Sequence, residues 1–211
     1  MTISAVILAA GAGSRWKGPE HKLIHPFKGK PLISWSLEAP LEVGFDELGV
    51  IQGLNIKLAS KCGISPDLSG AINERALLHI DNAYYLENIL VENYLCKTNT
   101  ASNTAFRGFG GNQGMMVIEN IIDNIAHSLK KDPAEIRRRN FYQNFKKNVT
   151  HYGMKIEDNV IQPIYDKLIK SSNYKGRKLE TIRFNLKNKY VKKGIAITPV
   201  KFGISFTTMH L

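Results

Sequence analysis

The sequence predicts an α+β protein in which a short Rossmann-like βα unit precedes a larger mixed domain. Three observations support this fold class. Residues 4–8 form an apolar run that a glycine loop then interrupts, as expected of a buried strand entering a turn. From Met115 to Leu129, apolar residues recur at three- and four-residue steps, which predicts an amphipathic helix. Near the carboxyl end, the apolar stretches 194–198 and 202–206 predict strands.

The composition is that of a globular protein. The chain has 211 residues, of which 43% are hydrophobic and 22% charged, and this excludes the disordered class. No apolar run reaches the roughly 18 residues of a membrane helix, so we expect no membrane partner. The apolar run 5–10 lacks the preceding basic segment of a signal peptide, which predicts a cytoplasmic protein. Two cysteines, Cys62 and Cys96, form neither a disulfide framework nor an iron–sulfur pattern.

The net charge of +11 is concentrated in the second half of the chain. Residues 1–129 carry 10 basic and 12 acidic side chains, whereas residues 130–211 carry 19 and 6. A basic half can indicate nucleic-acid binding, but no aromatic residues interleave with Arg137–Arg139 or Lys192–Lys193. We therefore interpret the basic half as a solvated face or a surface for an acidic partner domain, and expect no nucleic-acid partner.

An RNA-recognition consensus is the competing interpretation of one motif. Residues 107–110 match the opening of that consensus. The consensus then requires aromatic and β-branched residues for a sheet surface, whereas Gly, Asn, Gln and Gly follow here. The motif therefore does not predict RNA binding.

Local signals predict the remaining elements. Asp132, Pro133 and Glu135 together predict a capped helix start, because Asp accepts from the first free amides and Glu can complete a capping box. Gly114 is predicted to open the preceding helix. The other predictions are a helix over 31–41, a strand and turn region over 43–56, loops over 64–112 with a strand-like piece at 83–86, and helices over 160–170 and 178–189.

The glycine loop after the first apolar run could bind a phosphate. Gly11 and Gly13 permit positive φ angles and a close approach to consecutive backbone amides, and Arg15 and Lys22 add positive charge. Neither standard phosphate fingerprint is met, because Trp16 stands where one requires glycine and no GK[ST] follows. From the residues alone, a structural turn and a phosphate site are equally supported.

The first 40 residues resemble the molybdenum cofactor cytidylyltransferase family and its nucleotidyltransferase relatives. The resemblance rests on residues 5–15, on Lys22-Leu23 and on residues 29–32. It implies that Gly11, Gly13, Arg15 and Lys22 bind a nucleotide triphosphate. The acidic residues that hold magnesium in that family do not follow, so we expect no transferase activity from this piece alone.

The rest of the chain resembles the molybdenum-binding subunit of xanthine dehydrogenases. Matching motifs occur in the expected order at 45–49, 62–69, 74–79, 81–85, 98–100, 103–111, 113–114 and 199–207, with Asn112 in place of the family's usual proline. The resemblance predicts two regions, a nucleotidyltransferase-like piece at 1–41 and a partial molybdopterin-binding domain at 42–211.

This second resemblance implies a set of site residues. Arg75 matches the catalytic, substrate-binding arginine, and Phe109 and Phe206 match the phenylalanines that enclose the purine. Thr207 matches a substrate-contacting threonine. The cofactor-binding segment is Phe106, Arg107 and Gly108, in which the backbone of Arg107 lies near molybdenum.

Chemistry gives these residue types reasons of their own. A fixed guanidinium stabilises negative charge that develops on a purine ring, and aromatic faces hold a flat heterocycle. Glycines at 108, 110 and 111 would permit the backbone to approach the metal closely. Without the resemblance, an arginine is usually a surface residue and a phenylalanine a core residue. His79 and His127 are predicted to be packed or solvated, because no second ligand stands at metal-binding spacing.

The resemblance further implies purine hydroxylation with a molybdenum–molybdopterin cofactor. Electrons would leave through iron–sulfur clusters and FAD, carried by missing parts or a partner subunit, to NAD. The base glutamate of the family lies outside this chain, so we expect the chain to be inactive alone. Two alternatives remain open: nucleotide binding by the first 40 residues, and a non-enzymatic remnant of a gene fusion.

Overall fold

The computed structural model describes the backbone of residues 26–27, 30–31 and 41–203, with side chains from Val43 onward. The predicted first strand and the glycine loop lie outside the described residues. Two short strands, β1 (Pro26–Phe27) and β2 (Lys30–Pro31), pair in antiparallel orientation. Pro31 therefore does not open a helix as predicted, and most of that predicted helix lies outside the described residues.

A three-stranded sheet forms one layer of the fold. It consists of β3 (Leu41–Phe45), β4 (Ile51–Gly63) and β5 (Ile89–Lys97), in the order β3-β4-β5. β3 and β4 are antiparallel, whereas β4 and β5 are parallel. Alternate residues of β4, namely Leu54, Ile56 and Leu58, are buried, so one face of the sheet covers the core.

Helix α1 (Ser69–Leu78) connects the two parallel strands. The prediction of loops over 64–112 was therefore wrong for both α1 and β5. The physical reason is that α1 buries polar side chains: Asn73 is 3% exposed, bonds to the Ser60 hydroxyl, and donates to the carbonyl of Tyr94 at 3.3 Å. A buried face that is partly polar gives no apolar periodicity to detect.

Helix α2 (Gly111–Ser128) supplies the centre of the core. Its isoleucines 118, 121, 122 and 125 are fully buried, which confirms the predicted apolar stripe. The helix begins three residues before the predicted start at Gly114. Gly114 instead lies within the helix, where an added Cβ would stand 2.2 Å from the carbonyl oxygen of Ala76 on α1. Glycine is needed there because the two helices pack closely.

Three further helices follow: α3 (Pro133–Asn140), α4 (Ile161–Ser171) and α5 (Tyr174–Lys187). The cap at Asp132 is confirmed, since its side chain accepts from the amide of Ala134 at 2.9 Å. The carboxylate of Glu135 bonds to Arg139 one turn later. The prediction of α4 is accurate to one residue at each end, and α5 begins one turn earlier than predicted.

The predicted strand over 194–198 is wrong, and so is the start of the one over 202–206. Residues 191–203 have no strand partner, and positions 204–206 lie outside the described residues. The segment nevertheless packs on the core, with Ile197 buried. Side chains of residues 79–82, rather than a neighbouring strand, bond to its backbone.

Asn substitution of Asp132 is expected to cost up to about 1 kcal/mol at pH 7, because asparagine can still cap α3 and only the charge is lost. The carboxylate caps α3, forms an ion pair with Lys178 at 2.6 Å, and accepts from Tyr174 at 3.1 Å. Burial opposes ionisation, but these partners together hold the pKa of Asp132 below its usual value. This stability is therefore present above the unfolded-state pKa and is lost as the pH falls through the lower folded-state pKa.

Urea unfolding of the wild type and D132N at pH 7 and pH 3 measures this effect. The difference between the two proteins should shrink at pH 3. The exposed Asp158→Asn serves as the control and should change stability little at either pH. An equal loss for D132N at both pH values would show that the charge of Asp132 contributes nothing.

Candidate functional site

Arg75 lies in the last turn of α1 and contacts the end of the described chain. Its Nη2 donates to the carbonyl oxygen of Gly203 at 2.5 Å. The guanidinium also lies over the ring of Phe202, 4.7 Å from the ring centre. This contact brings residues that are 128 positions apart into one site, and it limits the directions in which the guanidinium can point.

His79, one turn after Arg75, is packed, which is one of the two environments predicted for it. Its ring lies 4.9 Å from that of Phe202. Burial, followed by the positive charges of Arg75 and Lys201, lowers the pKa of His79. The imidazole is therefore neutral at pH 7.

The loop formed by residues 106–111 lies beside α1. Phe106 is 82% exposed, and Arg107 is also exposed. The side chain of Asn112 donates to the carbonyl of Arg107 at 3.0 Å. Within the described part of the chain, nothing accepts a hydrogen bond from the backbone amides of Arg107 or Gly108. The tip of the loop thus presents two amide donors next to an exposed aromatic ring.

Internal packing explains two of the glycines in this loop. Gly110 has φ +95°, and an added Cβ would stand 1.9 Å from the carbonyl oxygen of Ile72 on α1. At Gly111, an added Cβ would stand 2.4 Å from the ring of Phe202. The sequence had suggested close approach to a metal as the reason for these glycines. In the structure they allow the loop to contact α1 and the ring that supports Arg75.

A buried ion pair attaches residues 199–203 to the core. The ammonium of Lys201 bonds to the fully buried carboxylate of Asp81, which also accepts from the hydroxyl of Tyr142 at 2.7 Å. The side chain of Asn82 donates to the carbonyl of Pro199 at 3.0 Å and accepts from the amide of Lys201 at 2.9 Å. The sequence analysis did not predict these contacts, although four of the five residues, all but Tyr142, lie in motifs that carried the resemblance.

A second buried network joins α2 and α3. Glu119 accepts from Arg137 at 2.7 Å and from Tyr84 at 2.5 Å, and Arg137 also donates to Asp123 at 2.8 Å. Only 2% of the Arg137 side chain is exposed. The interpretation of the arginine run as a solvated face is therefore wrong for Arg137. Its neighbours are paired within the chain as well, Arg138 with Asp166 and Arg139 with Glu135.

The described structure contains only part of the predicted site. The loop that contains residues 106–109 packs on α1, the helix of Arg75, through Gly110, and its Gly111 lies against the Phe202 ring that Arg75 also contacts. Gly11, Gly13, Arg15, Lys22, Phe206 and Thr207 lie outside the described residues. His127 is exposed, and no group of three or more metal-ligating side chains occurs among the residues described. In the same part of the chain, no helix is long and apolar enough to cross a membrane.

Two protein-family profiles match parts of this sequence. The profile of the molybdopterin cofactor-binding domain matches residues 36–141, which is half of the chain. The chain belongs to the molybdopterin cofactor-binding domain family. The profile of the MobA-like NTP transferase domain matches residues 5–64. The two matches overlap, and the overlap includes β3 and β4. The predicted boundary between residues 41 and 42 falls inside β3.

Relatives of this molybdopterin-binding chain include xanthine dehydrogenases of distant organisms. It is 41% identical over 187 residues to xanthine dehydrogenase/oxidase of Gallus gallus, which covers 89% of the chain and 13% of that relative. It is 40% identical over 173 residues to xanthine dehydrogenase of Dictyostelium discoideum, covering 82% and 13%. The chain thus spans about 13% of the length of these relatives.

Solved structures confirm the α+β fold of the molybdopterin-binding region. Aldehyde oxidoreductase from Desulfovibrio desulfuricans superposes with a TM-score of 0.61 at 23% identity, covering 69% of this chain and 16% of that one. Quinoline 2-oxidoreductase from Pseudomonas putida superposes with a TM-score of 0.59 at 20% identity, covering 72% and 20%.

The cofactor of the family agrees with the molybdenum–molybdopterin predicted from the sequence. The residues present also fit such a group. The amides of Arg107 and Gly108 have no acceptor among the described residues, and consecutive free amides of this kind suit an anionic or oxo ligand.

Proposed function

We propose that residues 42–211 form the purine-binding part of a molybdenum hydroxylase of the xanthine dehydrogenase type. The observation that carries this proposal is the fixed position of Arg75, whose guanidinium is held by Gly203 and Phe202 beside the loop 106–111. An arginine that is held in place before substrate arrives can stabilise charge without having to reorganise.

In the proposed reaction, a purine C–H bond becomes C–OH. The oxygen comes from water, and two electrons pass through iron–sulfur clusters and FAD to NAD, which takes up a hydride equivalent while a proton is released. Arg75 stabilises the negative charge on the purine ring, and Phe109, Phe206 and Thr207 enclose and orient the substrate. Phe106, Arg107 and Gly108 would hold the molybdenum–molybdopterin cofactor, which when bound supplies the redox chemistry.

The iron–sulfur and FAD groups would lie on other parts of a longer cytoplasmic protein or on a partner subunit. This chain covers only about 13% of the length of its relatives. That small share supports the proposal that the electron-transfer groups are carried by other protein segments. We therefore propose that the 211-residue chain does not turn over alone. Formation of urate from xanthine by the chain supplied with molybdenum cofactor and an electron acceptor would refute this.

Arg75 substitutions are expected to weaken purine binding. R75M should raise the Kd of the 211-residue chain for xanthine about tenfold or more, because the charged donor is lost. R75K keeps the charge but loses the planar fork, so an intermediate Kd is expected. Titration calorimetry with xanthine measures both values, with Arg138→Met as a control that removes an exposed arginine paired with Asp166 on α4. Equal Kd values for the wild type and R75M would contradict the proposed role.

A second candidate function concerns the first 41 residues, which we propose as a nucleotidyltransferase-like piece. The match of residues 5–64 to the NTP transferase profile favours nucleotide binding by Gly11, Gly13, Arg15 and Lys22. Binding of Mg–CTP, abolished by Lys22→Ala, would support it. A chain that binds neither xanthine nor Mg–CTP would favour the non-enzymatic remnant.

A further inference from the structure

Gly203 is bonded on both sides, by Arg75 in the last turn of α1 and by His79, the residue that directly follows α1. Arg75 Nη2 donates to its carbonyl oxygen, and its amide donates to Nε2 of His79 at 3.1 Å. The other ring nitrogen of His79, Nδ1, lies 2.8 Å from the carbonyl oxygen of Arg75. The three bonds form a closed circuit that runs from Arg75 to Gly203, to His79 and back to Arg75.

This circuit permits only one form of the imidazole. A carbonyl oxygen can only accept, so Nδ1 must carry the hydrogen that Arg75 receives. A backbone amide can only donate, so Nε2 must have its lone pair free for Gly203. His79 is therefore neutral and protonated on Nδ1. Protonation of Nε2 would place two donors against each other and open the circuit.

We propose that His79 is a positioning residue that fixes the Arg75 guanidinium through Gly203. By accepting from the Gly203 amide, His79 fixes the position of Gly203, whose carbonyl on the other side of the Cα bonds to Arg75. It acts through another residue and has no contact of its own with the proposed substrate. The importance of this role for purine binding rests on the function proposed above for Arg75, whereas the circuit itself does not.

The surroundings of His79 keep it in the required form. The charged groups that act on it are Arg75, Lys201 and Asp81, of which the two cations outweigh the carboxylate. The ring is 7% exposed and packs on Phe202. Burial and the two cations hold the pKa of His79 below its usual value, so the circuit is intact at pH 7 and opens only in more acidic solution.

The first test uses the wild-type chain and nuclear magnetic resonance. The nitrogen shifts of His79 are expected to show hydrogen on Nδ1 and none on Nε2 at pH 7. The guanidinium protons of Arg75 should exchange slowly with water at that pH and faster as His79 becomes protonated. Hydrogen on Nε2 would overturn the proposal, and so would exchange at Arg75 that does not follow the titration of His79.

The second test uses variants. H79F keeps the ring but removes both bonds, and should speed exchange of the Arg75 protons and weaken xanthine binding about tenfold. H79Q retains one donor and one acceptor. It should therefore restore most of the slow exchange of the Arg75 protons and most of the xanthine affinity. His151→Phe is the control, because the His151 side chain is only 6% exposed and bonds to α1, at the Leu77 carbonyl 2.9 Å away, whereas its hydrogen bonds do not involve Gly203.

A double-mutant cycle separates positioning from general destabilisation. If His79 acts through Arg75, R75M/H79F should bind xanthine no more weakly than R75M. Additive losses in the cycle would overturn the proposal, as would equal effects of H79F and H151F on Arg75 exchange. If the wild type does not bind xanthine, the proposed function fails, and the Arg75 exchange measurements alone decide whether His79 positions the guanidinium.

Discussion

Replacing Arg137 with methionine is expected to destabilise the folded chain by about 3–5 kcal/mol. The Arg137 side chain is almost completely buried and donates to both Glu119 and Asp123. Its loss leaves the largely buried Glu119 carboxylate without a positively charged partner. Tyr84 and Asn82 still donate hydrogen bonds to that carboxylate. Because Asn82 also bonds to Pro199, the change should loosen residues 199–203 as well.

Arg138 provides the matched control for this experiment. R138M removes the neighbouring arginine, which is 52% exposed and pairs with Asp166, so it should cost no more than about 1 kcal/mol. Urea unfolding followed by circular dichroism measures both variants. R137M/E119Q should lose less than the two single changes summed, because the only carboxylate left without Arg137 is then Asp123, which is 56% exposed and solvated. Similar losses of stability for R137M and R138M would show that the buried Arg137–Glu119 ion pair contributes no more to stability than the exposed Arg138–Asp166 pair.

Gly110→Ala is expected to destabilise the chain by about 3–5 kcal/mol, since two costs add. A left-handed backbone costs an alanine about 1–2 kcal/mol, and Gly110 has φ +95°. In addition, the new Cβ would stand 1.9 Å from the carbonyl oxygen of Ile72 and 3.0 Å from the amide of Ala76. Both are backbone atoms of α1, so the loop must move away from the helix. The displacement should also weaken xanthine binding.

Gly153→Ala isolates the first of these costs. Gly153 has φ +87°, but no atom lies within 4 Å of its added Cβ. Gly153→Ala should therefore lower the free energy of unfolding by only about 1–2 kcal/mol. Thermal and urea unfolding of both variants give the comparison. Losses of the same size at the two positions would mean that the contact between the loop and α1 adjusts without cost.

Local signals made part of the fold predictable. The stripe of isoleucines in α2 and the cap at Asp132 act within one or two turns, so the printed sequence contains them. Helix α1 has no such stripe, because its buried side includes Ser69 and Asn73. The strand prediction over 194–198 failed for the opposite reason. This apolar segment has Ile197 buried, but the hydrogen bonds to its backbone come from side chains distant in sequence, such as Asn82, and not from a neighbouring strand. No local pattern reveals such contacts.

In the candidate site, too, local motifs were predictable from the sequence, whereas contacts between distant residues were not. Resemblance predicted Arg75 and residues 106–108 as site residues, and in the structure the loop that follows them packs on α1 through Gly110. The groups that hold Arg75 in place, Phe202 and Gly203, were within a recognised motif, but their pairing with α1 depends on three-dimensional contact. His79 was predicted to be packed or solvated, and the structure shows it packed; its bond to Gly203 depends on a residue 124 positions away, which no local pattern reveals.

The attachment of residues 199–203 to residues 79–82 has a consequence for biosynthesis. A ribosome adds about 5–20 residues per second, so the carboxyl-terminal segment emerges on the order of ten seconds after α1. During that interval, Asp81 has no Lys201 and Arg75 has no Gly203. The nascent chain can therefore build its isoleucine core while the proposed pocket is still open, and the site is completed only by the last part of the described chain to be synthesised.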